Sequence, residues 1–443
     1  MAWQKVSDTR WERPVNGLEA YFIFLARTST SLFHDREHFT LYSKVKLETH
    51  SSDLIPALRH AWKQIRYEQP QIAVTHDGFK KVYEVPDTNA LEEWLATTFI
   101  VSPASNIEEF YSAAKPIDQS MLYYLPATSE IVFRCPHYTV DGTGVLLFWH
   151  SYLTALESPT ADLKFGDEPT RLAPTMEQIL STPGETADDL ENMGAELFAK
   201  WTDCIPGVGA VPQASIPPLG SCRSTELVFP VHTTKALLAA CKVKGVTISA
   251  AVHAAYIGAI FKYADPEAKP SQYVAANQFN VRPYLPEPYG SSKYCVNNYI
   301  ASIPYFADLP ASFWDLTKAM HEHYQTMIKG NSKTLDSNGH LRQTMYDRVL
   351  EPEFLAKLAS KYAFVSSLGI AERYVQREYG SNIKVKELTI GVDVTLGKSA
   401  LFIFSFEDQL RLAYSSNDGF ETVEEIHTYL EEVKSVLIQE LLG

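Results

Sequence analysis

The chain has 443 residues, 45% of them hydrophobic and 12% aromatic, with 39 Lys and Arg against 53 Asp and Glu, a formal net charge of -14. A chain this long is expected to divide into two domains, and its acidity excludes a nucleic-acid partner, whose phosphates call for clustered cations. The five cysteines are few, odd in number and widely spaced, which excludes a disulfide framework and a zinc cluster.

The start, Met1-Ala2-Trp3-Gln4-Lys5, has no basic, apolar and small-residue succession of a signal peptide, and no run approaches 18 apolar residues. The expectation is a soluble, cytoplasmic protein. A first helix is predicted over 53–69, with Leu54, Ile55, Leu58, Trp62 and Ile65 at helical spacing, and a short one near Ala90–Leu95. A hairpin follows, Met121–Leu125 with Glu130–Cys135, which delivers the chain to Pro136 and His137. Val145–Trp149, with Tyr152, Leu153 and Leu156, reads as a mostly buried helix. The stretch from about 157 to 222, rich in Pro, Thr, Glu and Gly, holds a helix at Ala187–Ala199. It divides an N-terminal lobe (1–185) from a C-terminal lobe (223–443), with 186–222 as the crossover linker. In the second half a strand is predicted at Thr225–Val231, then two helices, the second capped by Thr247 and running to Tyr263. Strands at Tyr273–Val281 and Asn297–Phe306, helices over 312–328 and 340–362, four strands at Ala363–Ser367, Ile383–Thr389, Ala400–Phe406 and Gln409–Ser415, and a last helix Val423–Leu441 complete the chain. Strands and helices alternate with short hairpins among them, so the fold class is mixed α/β (α+β).

The residues that carry chemistry are His137 and Asp141, four apart, with Gly142 next. On a helix the pair would share a face and could ligate a metal. The feeding strand, Pro136, and Gly142 at the start of the next helix argue instead for a loop, and no third ligand lies nearby, so no metal is assigned. In a loop the imidazole projects into a cleft, Asp141 turns away into an internal salt bridge, and Gly142 permits tight backbone geometry. A histidine held this way can take a proton near neutral pH. The pattern arises by chance in roughly 3 of 100 such chains, so its placement after a strand matters more than its letters.

His137-Tyr138-Thr139-Val140-Asp141-Gly142 resembles the His-x-x-x-Asp-Gly motif of the CoA-dependent acyltransferase superfamily, which includes condensation domains, chloramphenicol acetyltransferases and plant BAHD enzymes. Gly245–Ala251, Asn280-Val281-Arg282-Pro283 and Ser366-Ser367-Leu368-Gly369-Ile370 are similar to the fungal branch typified by trichothecene 15-O-acetyltransferases. The resemblance implies two chloramphenicol-acetyltransferase-like lobes with a tunnel between them and His137 at its middle. It also implies Arg282 as the partner of Asp141. Pro136 stands where condensation domains carry a second histidine. Gly391–Gly397 keeps an Asp and a Gly but not the plant-type Asp-Phe-Gly-Trp-Gly.

The implied function is acyl transfer, acetyl in the first instance, from acyl-CoA as co-substrate to a hydroxyl of a secondary metabolite such as a terpenoid, with His137 as base and no permanently bound cofactor. Ser366 and Ser367 are either oxyanion donors or plain sheet residues. Two other readings stay open. One is a same-fold protein that cyclises, isomerises or binds a hydrophobic intermediate. The other is carrier-dependent condensation, disfavoured because no carrier or adenylation module is attached. The expected partners are acyl-CoA and a small hydrophobic acceptor, with the protein a monomer. His150 reads as a packed or rim histidine, and His321 and His323 as too closely spaced on a helix to share a ligand.

Overall fold

A computed structural model describes residues 2–32, 37–49, 54–180, 186–209, 220–264, 271–327, 329, 332–348, 351, 363–395 and 397–443. The chain forms two compact units that are discontinuous in sequence. Unit 1 comprises Met1–Ser181, Asn280–Ile300 and Ala371–Val392, and unit 2 comprises Thr182–Phe279, Ala301–Ile370 and Asp393–Gly443.

Unit 1 is built on a six-stranded sheet ordered Glu378–Tyr379, Ile383–Val392, Thr40–Thr49, Glu130–Pro136, Met121–Leu125 and Phe99–Val101. All pairs are antiparallel except the last. Every residue of Glu130–Pro136 is buried, as befits an interior strand. The helix Leu54–Glu68 buries Leu58, Ala61, Trp62 and Ile65, one face at helical spacing. It packs with the helix Gly142–Glu157. Phe133 of the sheet stacks on Phe148 of that helix at 3.8 Å between ring centroids, and Trp62 stacks on Trp94 at 5.3 Å. A fully buried phenylalanine stabilises the fold by about 1.5–3 kcal/mol. The indole of Trp149 donates to Ser43 Oγ (2.8 Å), which donates to the Thr389 carbonyl (2.7 Å), so helix and two strands share one polar chain inside the core. A second, four-stranded antiparallel sheet runs in the order Gln4–Lys5, Arg10–Pro14, Lys80–Glu84, Thr75–Asp77.

Unit 2 holds the sheet ordered Phe364–Ile370, Ala400–Phe406, Gln409–Asn417 and Cys222–Val228, whose first pair is parallel. Gln272–Asn280 pairs with Ile300–Asp308. The helix Ile248–Tyr263, capped by Thr247 as expected, buries Ala250 to Ile257, Ala259 and Ile260, so it is apolar all round and forms the centre of the unit. Val423–Leu442 packs on it. Among the described residues no single helix is long and apolar enough to cross a membrane.

The mixed α/β class agrees with the sequence reading, and three local expectations are corrected. The strand predicted from Asn297 begins at Ile300, because the backbone of Asn297 and Tyr299 is bound elsewhere. The strand predicted to Val231 ends at Val228, and Val231 opens the helix Val231–Lys244. The helix predicted over 340–362 begins at Ser332 and is described to Arg348, and residues 352–362 lie outside the described set. Elements that were not predicted include the helix Gly17–Leu32, the strand Thr40–Thr49, the edge strands Phe99–Val101 and Glu378–Tyr379, and the small four-stranded sheet.

Candidate active site

The strand Glu130–Pro136 ends where His137 begins. The His137 amide donates to the Phe39 carbonyl (3.1 Å), and the Thr139 amide donates to the Pro136 carbonyl (2.9 Å), so the chain turns at once. Phe39 adopts φ +63°, a left-handed conformation that a bulky residue holds only when its surroundings enforce it. The half-buried imidazole lies flat against Phe22, 4.2 Å between centroids and 10° between planes, with Phe39 edge-on at 6.2 Å. Asn298 Nδ2 donates to the His137 carbonyl at 2.6 Å and stands 3.5 Å from Nδ1, so the carbonyl is its acceptor.

Asp141 is the N-cap of Gly142–Glu157. Its Oδ1 accepts from the Gly144 amide (2.8 Å), satisfying one of the donors a helix start leaves unpaired. The same carboxylate accepts from Arg282 Nη1 at 2.7 and 2.8 Å and from the Tyr299 amide at 2.7 Å. Arg282 Nη2 donates to the carbonyls of Asn297 (2.9 Å) and Cys295 (3.4 Å), and the Asp141 amide donates to the Asn297 carbonyl (3.3 Å). Asp141 is 1% exposed and Arg282 4%. A buried pair is costly to desolvate, and extra hydrogen bonds such as these are what make it tolerable. The motif carboxylate is therefore a clasp that fixes the loop.

Close packing of the helix start against the clasp is carried by Gly144 as well. Gly142 opens the helix, whereas a Cβ on Gly144 would lie 2.5 Å from the Cys295 carbonyl oxygen and 2.9 Å from Arg282 Nη2. Only glycine lets the helix approach the clasp this closely. Ser366 and Ser367 lie on the strand Phe364–Ile370 of unit 2, where Ser367 Oγ and Ser249 Oγ share a 2.6 Å hydrogen bond.

Cys135 and Cys295 are buried, which pushes each thiol up to about 12, so neither is a thiolate nucleophile at neutral pH. His150 lines a groove of about 640 Å³ in unit 1 with Tyr67, Arg171 and Tyr294, and its Nδ1 lies 3.2 Å from the Tyr379 hydroxyl. His321 accepts from the Thr247 amide (3.3 Å), while His323 packs 4.9 Å from the Tyr305 ring and is lowered by burial to about 4. No group of three or more His, Cys, Asp or Glu among the described residues could hold a metal ion. The sequence reading missed Gly144, Asn297, Asn298 and Tyr299. Asn297 and Tyr299 work through backbone groups that every residue type carries, so side-chain identity gave no signal.

No protein-family model matches the chain. Two curated proteins of Monascus ruber are similar to it over its whole length. The O-acetyltransferase pigM is 27% identical over 448 residues, covering 100% of this chain and 87% of the relative. The acetyltransferase pigO is 26% identical over 462 residues, covering 100% and 98%. Among solved structures, the TRI3 trichothecene 15-O-acetyltransferase of Fusarium sporotrichioides superposes with a TM-score of 0.81 at 17% identity, over 98% of this chain and 97% of that one. The first condensation domain of the calcium-dependent antibiotic synthetase gives 0.65 at 14% identity, over 96% and 95%. The chain therefore has the fold shared by the trichothecene 15-O-acetyltransferase and the condensation domain.

Proposed function

We propose that the protein transfers an acetyl group from acetyl-CoA to a hydroxyl of a small secondary metabolite, with His137 as general base. The observation that carries this reading is the way His137 is presented. Its peptide groups are bound on both sides, its ring is flat against Phe22, and the neighbouring carboxylate is fully used by Arg282, Gly144 and Tyr299. Such a group is pre-positioned, and positioning is a large part of rate acceleration.

In this mechanism His137 accepts the hydroxyl proton as the acceptor oxygen attacks the thioester carbonyl. A C–O bond forms, the tetrahedral intermediate collapses with loss of the C–S bond, and the imidazolium returns the proton to the CoA thiolate. The names of the Monascus and Fusarium relatives support an acetyl donor and a secondary-metabolite alcohol.

The test is acetyl-CoA-dependent thiol release by the purified protein. Wild-type chain is expected to release thiol slowly without acceptor, and His137→Ala to lower turnover at least about a hundredfold, the scale of general-base loss. A near-wild-type rate in His137→Ala removes the base assignment. No release from acetyl-CoA or longer acyl-CoAs by the wild type removes the acyl-CoA reading.

A further inference from the structure

We infer that Lys81 is a positioning residue for the proposed reaction, holding the loop that carries His137 through the carbonyl of Tyr138. The inference rests on the general-base reading of His137.

Lys81 lies in the strand Lys80–Glu84, beside a second lysine, Lys80. In sequence the two look like a solvated basic pair. Lys80 is indeed exposed and meets Glu12 at 3.1 Å. Lys81 points inward and is 6% exposed. Its Nζ donates to the Tyr138 carbonyl at 2.9 Å and pairs with Glu19 Oε1 at 2.6 Å. Glu19, 5% exposed, is also held by Arg13 through both oxygens (2.6 and 2.7 Å) and by the Asn16 amide (3.1 Å). Burial pushes the Glu19 carboxyl up, but Arg13 and Lys81 outweigh it and bring it down to about 2, so it stays ionised. Burial pulls Lys81 below the usual lysine range, with Glu19 opposing.

Two cations and one anion are thus enclosed beside the loop that carries His137. A buried lysine is costly unless each of its donors has a partner. Here one partner is a carboxylate and the other is the peptide oxygen immediately after the base. Arg13, Lys81, Thr139 and Asn297 line one small cavity, which places the ionic trio against the motif and its clasp.

The successive carbonyls of the loop are bound from different elements: His137 by Asn298 and Tyr138 by Lys81, while Asp141 is held by Arg282. Asn298 holds the peptide between His137 and Tyr138, and Lys81 holds the next one, between Tyr138 and Thr139, so the chain leaving His137 has little freedom to rotate. Losing Lys81 frees the Tyr138 carbonyl without touching His137 or any acyl-CoA contact on His137. The expected loss is therefore in turnover rather than in binding.

The experiment compares Lys81→Met, Lys81→Arg and His137→Ala in acetyl-CoA thiol release by the full chain. Lys81→Met is expected to lower kcat by about 10- to 100-fold, the scale of a misplaced catalytic group, with KM for acetyl-CoA within about threefold. Lys81→Arg, which keeps a charged donor, is expected to restore most of kcat. A folded Lys81→Met with wild-type kcat overturns the inference, as does an equal loss in both Lys81 variants. If Lys81→Met does not fold, amide hydrogen exchange of residues 137–142 in Lys81→Arg decides. Wild-type protection with near-wild-type kcat supports the inference, and fast exchange with unchanged kcat overturns it. An active His137→Ala removes the base reading and this inference together. An inactive His137→Ala beside a wild-type Lys81→Met removes only this one.

Discussion

His137 in unit 1 and His253 in unit 2 both sit among aromatic rings, and they are held in opposite ways. His253 is wholly buried, and its ring nitrogens are each 2.9 Å from a tyrosine hydroxyl, Nδ1 from Tyr324 and Nε2 from Tyr273. Burial, with a smaller contribution from His323, drives it down to about 3. It is neutral at every physiological pH and its nitrogens are spoken for. His137 is tied through its backbone, by Phe39 and Asn298, and its ring is only half-buried. His253 is held by hydrogen bonds to both ring nitrogens, whereas His137 is held mainly through its peptide groups and by stacking on Phe22.

Asp141→Ala should give the largest break in that contrast. It leaves Arg282 buried without its carboxylate, a loss of about 3–5 kcal/mol, read as a fall in thermal midpoint and accompanied by loss of thiol release. His253→Gln should act on stability alone. It removes a buried ring whose partners are two tyrosine hydroxyls, costing about 1–3 kcal/mol, with kcat of the folded protein unchanged.

The pH dependence sharpens the point. Because the folded-state values of His253 and His323 lie at about 3 and about 4, below the ordinary 6.5, the unfolded chain binds more protons across that window. Their contribution to stability is complete above pH 6.5 and is lost as pH falls toward 4, at up to about 1.4 kcal/mol per pH unit for each group. Denaturant melts at pH 7 and pH 5 should show this loss, with a shallower slope in His253→Gln. The smallest effect is expected from Asn298→Ala, which frees the His137 carbonyl at about 1 kcal/mol, read as a kcat lowered about fivefold at unchanged KM.

Much of unit 2 was legible in the sequence. Thr247 announces the buried helix that follows it, and the last helix, Val423–Leu442, differs from its expected extent by one residue. Unit 1 was read less fully. The alternation of Lys44, Val45, Lys46 and Leu47 is that of a strand, but a reading that begins at the first helical period passes over it. What Ile383–Val392 pairs with is not written in that segment, since a half-buried strand pattern fits either sheet. At the site, His137 and Asp141 stood out by spacing, and Arg282 entered only through the family resemblance. The 141 positions that separate Asp141 from Arg282 leave no local signal of their contact. Lys81 was hidden for a different reason: beside Lys80 it looks like solvent-facing charge, and only the fold turns one of the two inward.

The pairing of Ile383–Val392 with Thr40–Thr49 has a consequence for how the chain is made. On the ribosome the first strand emerges more than 300 residues before its neighbour, and at about 5–20 residues per second that delay is roughly 20–70 s. During that time one edge of the sheet beneath His137 has no partner, and exposed edges invite pairing with other nascent chains. The sheet that carries the His137 loop is thus left incomplete until nearly nine-tenths of the chain has been made, and a transcript cut short before codon 383 would yield a motif with no completed sheet to carry it.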